Sequence, residues 1–266
     1  MVNAGVLTRR QAGGAYAAGV NGFVDTHSHL VPSGDDGVRS VDEGVELVLE
    51  ASRRGTAVQF ATPHALERFP VTAERRRRVM AAREQMRARL AGRVDFRIGW
   101  EIGPEAWVLD NDPTELTMEG LDACLLELPL PHTAPRDLEM VIACAEHIDG
   151  AGLTPILGHP ERCVLVAEEL GWVTRFRRRG WLTQVNGSSL HGRHGEVAER
   201  AGWELVESGQ ADLVGSDGHR ARRPPYLDET FRLVSDRIGR ERALPMFTGA
   251  ALVPLGLGRD VRAEPA

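Results

Sequence analysis

Seven short runs of apolar and β-forming residues, each closing on a polar side chain, constrain what this chain can fold into more than any other feature. They read Phe23 to His27, Ala57 to His64, Val94 to Glu101, Ala123 to Glu127, Thr154 to His159, Leu182 to Asn186 and Asp212 to Asp217. Longer amphipathic stretches separate them. This is the pattern of repeated βα units, and without hairpin signals between the runs the strands are predicted to lie parallel. Closing such a series brings every strand end to one rim. The predicted fold is therefore α/β, a distorted seven-stranded (β/α) barrel of TIM-like type, with function on that rim.

The helical stretches carry their own signals. Val45, Leu47, Val48 and Leu49 fall mostly on one side of a predicted helix from Val41 to Arg53, with Ser40 as its N-cap and Gly55 as its stop. Val79, Met86 and Leu90 recur at near-helical spacing over Thr72 to Leu90. The run Arg75 to Arg78 on that helix reads as a solvated outer face. Tyr226 to Leu244 is predicted as a final helix. The 266 residues fit one domain, with expected bounds 22–256, a loose extension at 1–21 and a frayed tail at 257–266.

Composition removes several function classes. A formal charge of -6 disfavours a protein whose main task is gripping nucleic acid. All 32 basic side chains are Arg, so no mechanism can use a Lys nucleophile, Schiff base or phosphate-binding Lys. The three cysteines are too few and too irregularly spaced for a disulfide framework or a Cys-based zinc site, which fits a reducing cytoplasm. No run approaches the roughly 20 apolar residues that span a bilayer, so no membrane insertion is expected.

The chemistry lies at the ends of the runs. His27 and His29, two apart on an extended segment, project to the same face and can share a cation. Asp35-Asp36-Gly37 follows, then His64, Glu101, Glu127, His159 before Glu161-Arg162, and Asp217-Gly218-His219. One such residue at a strand end is usually structural. Six of seven ends offering His, Asp or Glu would crowd charge onto one rim, and crowding of that kind requires cations. Mixed imidazole and carboxylate ligands suit Mn, Fe or Zn, and the number of candidates exceeds what one ion can use. Two or three divalent ions are implied.

With these motifs in this order, the chain from Phe23 to about Tyr226 resembles the polymerase and histidinol phosphatase (PHP) superfamily. Within it, Asp36 in Asp-Asp-Gly, Glu127 after an apolar run, Arg162 in His-Pro-Glu-Arg and Arg223 in Arg-Pro-Pro-Tyr are similar to the capsule-type, CpsB/CapC-like protein tyrosine phosphatases. The resemblance implies a PHP-type barrel with a three-metal site. One metal would be held by His27, His29, Glu101 and Asp217, and Glu101 would bridge to a second that also uses Glu127 and His159. Asp36, His64 and His219 would hold a third. Manganese is the expected ion. Asn186 would line the rim, either at the site or satisfying backbone groups.

The function so implied is phosphomonoester hydrolysis by attack of a metal-bridging hydroxide, with Arg162 and Arg223 offering planar donors to the phosphoryl group. The favoured substrate is a phosphotyrosine protein, the expected partner being a bacterial tyrosine kinase of capsule or exopolysaccharide assembly. Alternatives are a histidinol-phosphate or other small-molecule phosphatase, a PHP-type nuclease, and a non-catalytic metal-stabilised interaction protein. A cysteine phosphatase is excluded, since the positions six after Cys124, Cys144 and Cys163 hold Leu130, Gly150 and Glu169. Asp110-Asn111-Asp112-Pro113-Thr114 mimics an aspartyl-phosphatase motif but reads as a turn and helix cap. Asp25 and Asp35 are expected to orient imidazoles or a turn from behind the ligands. His132, His147, His191 and His194 receive no role.

Overall fold

The computed structural model describes residues 21–128 and 135–258. Nine strands are present among them: β1 (Phe23–Asp25), β2 (Thr56–Ala61), β3 (His64–Ala65), β4 (Asp95–Ile98), β5 (Glu101–Ile102), β6 (Ala123–Glu127), β7 (Thr154–Gly158), β8 (Leu182–Asn186) and β9 (Leu213–Gly215). Every pairing between them is parallel, in the orders β1-β2-β4 and β3-β5-β6-β7-β8-β9. The α/β organisation expected from the sequence is present, with nine strands in place of seven.

The extra two arise because the second and third predicted strands are each interrupted. The second breaks at Thr62-Pro63, where proline has no N–H for a ladder and the Thr62 N–H instead donates to Ser28 O at 2.6 Å. The third breaks at Gly99-Trp100. Bonds from Gly99 N to Ala61 O (2.9 Å) and from Glu101 N to Pro63 O (3.1 Å) carry the pairing across both gaps. As a result His64 and Glu101 stand directly opposite each other on β3 and β5. The end of the series meets its beginning. Ser28 and Gly218 form a parallel bridge, Asp217 N donates to His27 O at 2.8 Å, and His29 N donates to Gly218 O at 2.7 Å.

Successive strand residues feed two different apolar clusters, as a period of two requires. Leu125, Ile156 and Leu213 pack with Val24, Val58, Phe60, Leu252 and Leu257, whereas Cys124, Leu126, Leu157 and Val214 pack with the helices. Helix Val41–Arg53 begins at Ser40, whose side chain accepts from Glu43 N, and buries Val45, Leu47, Val48 and Ala51. Helix Ala73–Leu90 begins at Thr72 and buries Val79, Ala82, Met86 and Leu90. Fully burying Met86 or Leu90 contributes about 1.5–3 kcal/mol each.

Three expectations change. Arg75 is not on the solvated face: it is buried, and its guanidinium donates to Ser33 O (3.0 Å), His64 O (2.7 Å) and Phe69 O (2.5 Å). Only Arg77 and Arg78 of the run are exposed, because the first turn of the helix lies against the loops around His64. The predicted last helix is two, Asp228–Ile238 and Arg240–Phe247, since Gly239 between them has φ of 87° and breaks the helical path. Leu257 is buried and its N–H donates to Leu252 O, so packing reaches past the expected start of the tail. Residues 1–20 and 259–266, most of the expected extension and tail, lie outside the described residues, as does His132. No described helix is long and apolar enough to cross a membrane.

Candidate metal centre

The residues that follow the strands converge. His27 and His29 are both fully buried just after β1, and each uses one ring nitrogen to hold its orientation. His27 Nδ1 donates to Gln184 Oε1 at 2.8 Å, which turns Nε2 toward Glu101 Oε1 (3.1 Å) and Asp217 Oδ1 (3.6 Å). His29 Nδ1 faces Asp35 Oδ2 at 3.3 Å, which turns its Nε2 toward Glu101 Oε2 (3.1 Å) and Asp217 Oδ1 (3.6 Å). His219 Nδ1 donates to Asp217 O at 2.9 Å, leaving Nε2 3.5 Å from Asp36 Oδ1. His64, on β3, spans Glu101 Oε2 (3.0 Å) and Asp36 Oδ1 (3.5 Å), and lies 3.9 Å from Glu127 Oε2. His159 Nε2 stands 3.0 Å from Glu101 Oε1.

Glu101 is the hub of these contacts. His159 and Asp217 are aimed inward by left-handed backbone, φ 38° and 49°, a conformation that costs a non-glycine residue about 1–3 kcal/mol and that persists where the surroundings hold it. Asp25, the last residue of β1, accepts from Ser216 N (2.9 Å), Ser216 Oγ (2.6 Å) and Gln59 Nε2 (2.8 Å). It therefore clamps the segment after β9 to the first strand, and among the described residues it makes no hydrogen bond or ion pair with an imidazole ring. Asp35 does both things expected of it, facing His29 and accepting from Gly37 N (3.1 Å) and His64 N (3.1 Å).

The electrostatics are those of a cation site. Burial works to lower the pKa of His29, yet Asp217, Asp35 and Glu101 outweigh it and hold it well above the ordinary value. Burial would raise Glu101, but His27 and His64 keep it well below the carboxylate range. Burial and the charge on Glu101 push Glu127 up to about 8, while burial holds His159 down to about 4. His27 Nε2, His29 Nε2, His64 Nδ1 and Glu101 Oε2 are buried and make no hydrogen bond among the described residues. Leaving such atoms unpaired costs about 1–3 kcal/mol each, more when charged, and a bound cation is what would satisfy all four at once.

All nine candidate ligands fall into four overlapping groups whose donor atoms lie within 4.8 Å of one another: His29-Asp36-His64-His219, His27-His29-Asp217, His27-Glu101-His159 and His64-Glu101-Glu127. The residues present thus fit two or three divalent ions. The grouping overlaps the division implied by the resemblance but is not identical to it, since His29 also joins the Asp36 group and Glu127 sits with His64, not with His159.

Arg162 and Arg223 reach the edge of the cluster. Arg162 Nη1 donates to Asp217 Oδ2 at 2.9 Å, and Arg223 Nη2 pairs with the same oxygen. Asn186 Nδ2 also donates to it at 2.7 Å, and Gln184 Nε2 donates to Asn186 Oδ1 at 2.9 Å, so an amide chain links His27 to Asp217. The role of Gln184 could have been found from its place two residues before Asn186 on one strand face. Arg75 had no such signal. Glu161, Ser189 and His194 form a further chain, with Ser189 Oγ donating to Glu161 Oε1 (2.7 Å) and lying 2.9 Å from His194 Nδ1. His147 is a surface residue bonded to Asn111 O, and Asp112 caps the turn Pro113–Leu116 as expected.

Buried histidines and carboxylates at the ends of parallel strands, edged by arginines, define an α/β protein with a candidate metal centre at its strand ends. The chain belongs to the CpsB/CapC family of capsular polysaccharide synthesis proteins, whose family model matches residues 23–252. It is 24% identical over 236 residues to the tyrosine-protein phosphatase CpsB of Streptococcus agalactiae, covering 85% of this chain and 95% of that one. It is 25% identical over 238 residues to the tyrosine-protein phosphatase YwqE of Bacillus subtilis, covering 87% and 91%. Among solved structures, it matches one from a study of YwqE from Bacillus subtilis and CpsB from Streptococcus pneumoniae, described as metal-dependent tyrosine phosphatases, with a TM-score of 0.74 at 23% identity over 87% of this chain and 94% of the other. A phosphotriesterase homology protein from Escherichia coli shares the fold at a TM-score of 0.53 and 14% identity, over 86% and 97% of the two chains.

Proposed function

We propose that this protein is a metal-dependent protein tyrosine phosphatase whose ions are held by His27, His29, Asp36, His64, Glu101, Glu127, His159, Asp217 and His219. The single observation that carries this reading is the set of buried, unpaired nitrogen and oxygen atoms of His27, His29, His64 and Glu101, all turned to one centre beside two arginines. Manganese suits the mixed imidazole and carboxylate donors. When bound, the ions would supply Lewis-acid activation of a water nucleophile and positive charge for the phosphoryl oxygens.

The chain's own residues supply the rest. Gln184 and Asp35 fix the His27 and His29 rings, so the donor atoms need no rearrangement on binding. Asp217 keeps Arg162 and Arg223 at the mouth, from which their planar forks can turn to phosphoryl oxygens as charge develops. A phenolate leaving group tolerates weak acid assistance. Membership of the capsule family, together with relatives named tyrosine-protein phosphatases, supports a phosphotyrosine protein as substrate, and in this reading the partner is a bacterial tyrosine kinase in the cytoplasm.

The test is side-by-side turnover of a phosphotyrosyl peptide and histidinol phosphate with Mn supplied, with elemental analysis of the same preparation. Preferential hydrolysis of the peptide, lost in a folded His159→Ala variant, is expected. Turnover of histidinol phosphate alone, or of neither with any divalent metal, would overturn the reading.

A further inference from the structure

A small open cleft adjoins the metal centre on the side of Arg223. Ser188, from the short helix Gly187–Leu190 after β8, and His191 and Arg193, which follow that helix, line one wall, and Arg223, Tyr226 and Glu229, from the segment after β9, line the other. Its polar groups are donors in search of an acceptor. Ser188 Oγ and Arg223 Nε are buried and have no hydrogen-bond partner among the described residues. Arg193 is exposed, and among the described residues the one hydrogen bond of its guanidinium is to Arg222 O at 3.4 Å. Neither Arg193 nor Arg222 pairs with a carboxylate among the described residues, whereas many surface arginines of this chain do, among them Arg179 with Glu146 and Arg220 with Glu43.

The remaining groups in the cleft are already engaged. His191 Nε2 lies 3.1 Å from Thr230 Oγ1. Glu229, the one acidic lining residue, is drawn off by Arg54 at 3.1 Å, and Arg54 also stacks on Tyr226. What remains is a local cationic, donor-rich cleft on a chain of net charge -6, sharing Arg223 with the site where a phosphoryl group would be held.

We infer that this cleft is a subsite for a carboxylate side chain neighbouring the phosphotyrosine, so that the enzyme selects acidic phosphotyrosyl segments of proteins. The inference rests on the phosphatase reading above and names the substrate class within it. Ser188 Oγ–H, Arg223 Nε–H and the Arg193 guanidinium are the donors such a carboxylate would accept from. A peptide can place its phosphate at the metals and an adjacent Asp or Glu in the cleft, whereas a small phosphomonoester has no second anion to do so. One charge-assisted hydrogen bond of this kind corresponds to about tenfold in kcat/KM.

The experiment uses the Mn-loaded full chain and paired phosphotyrosyl peptides that differ only in Asp versus Asn beside the phosphotyrosine. The acidic-to-neutral ratio of kcat/KM is expected to be about ten for the wild type, to fall to about one in Arg193→Ala, and to shrink in high salt. Because each ratio is measured on one preparation, partial unfolding of the variant cancels. Anisotropy titrations of the same peptides against His159→Ala read binding apart from turnover and should give the same preference. A wild-type ratio near one, or a ratio in Arg193→Ala within twofold of the wild type, would overturn the subsite. Failure to hydrolyse either peptide would instead count against the phosphatase reading.

Discussion

Arg162 and Asp217 share a hydrogen bond of 2.9 Å on the outer oxygen of the carboxylate, while the inner oxygen faces His27, His29 and His219 at 3.6 Å each. One carboxylate therefore tethers a rim arginine to the candidate metal ligands. Arg162→Ala is expected to lower kcat/KM on phosphotyrosyl peptide by about 10- to 100-fold, the range for a charge-assisted hydrogen bond, without changing metal content by elemental analysis. Arg162→Lys should restore little, because an ammonium lacks the planar two-pronged donor. Full rescue by Lys would show that only charge matters there.

Chelation should destabilise the protein as well as silence it. Removing cations leaves His27, His29, His64 and Glu101 with buried unpaired atoms. Mn at about a thousand times its dissociation constant adds about 4 kcal/mol, which in a chain of this size raises the Tm by about 10 °C. Thermal unfolding with EDTA and with added Mn checks this. A melting curve indifferent to both would mean that the cluster holds no ion.

Arg75 and Arg77 sit in the same arginine run but should respond very differently to mutation. Arg75→Ala would strip donors from the carbonyls of Ser33, His64 and Phe69 in a buried place, at a cost of about 2–4 kcal/mol. Arg77→Ala, on the exposed face, should stay within about 0.5 kcal/mol. Urea unfolding of the two variants compares them directly, and equal midpoints would refute the bracing role of Arg75.

Glu161 provides a pH test. Burial pushes its carboxyl up to about 7, although Ser189 Oγ and Asn186 N both donate to it. In the unfolded chain it titrates near 4.5, so between about 4.5 and 7 the folded state keeps a proton that the unfolded state has lost. Stability from this group is therefore present at low pH and declines as pH rises through that window, by on the order of 3 kcal/mol. Glu161→Gln keeps the acceptor oxygen and removes the titration. The stability gap between variant and wild type should widen in the variant's favour from pH 5 to pH 8, and a constant gap would show that Glu161 titrates normally.

Much of this was legible beforehand because it is local. A strand end is marked by its own composition, a helix start by Ser40 or Thr72, and two histidines on one extended face by their spacing. Those signals gave the α/β order and the helix Val41–Arg53, whereas the nine candidate ligands that the fold gathers were singled out by the family resemblance. The breaks at Pro63 and Gly99 were also written in the sequence, but their effect, setting His64 opposite Glu101, depends on two strands pairing in register.

The chain by itself determined which residues stand at the ends of its strands, because periodicity and capping act over a few residues. Only the tertiary structure decided which of them share an atom's reach. Arg75 leaves the solvated face because His64 and Phe69 carbonyls come to it, Glu127 meets His64 and Glu101, and Arg162 and Arg223 meet on one oxygen of Asp217. These meetings are set by strand register and by loop paths between residues far apart along the chain, and no local pattern encodes either.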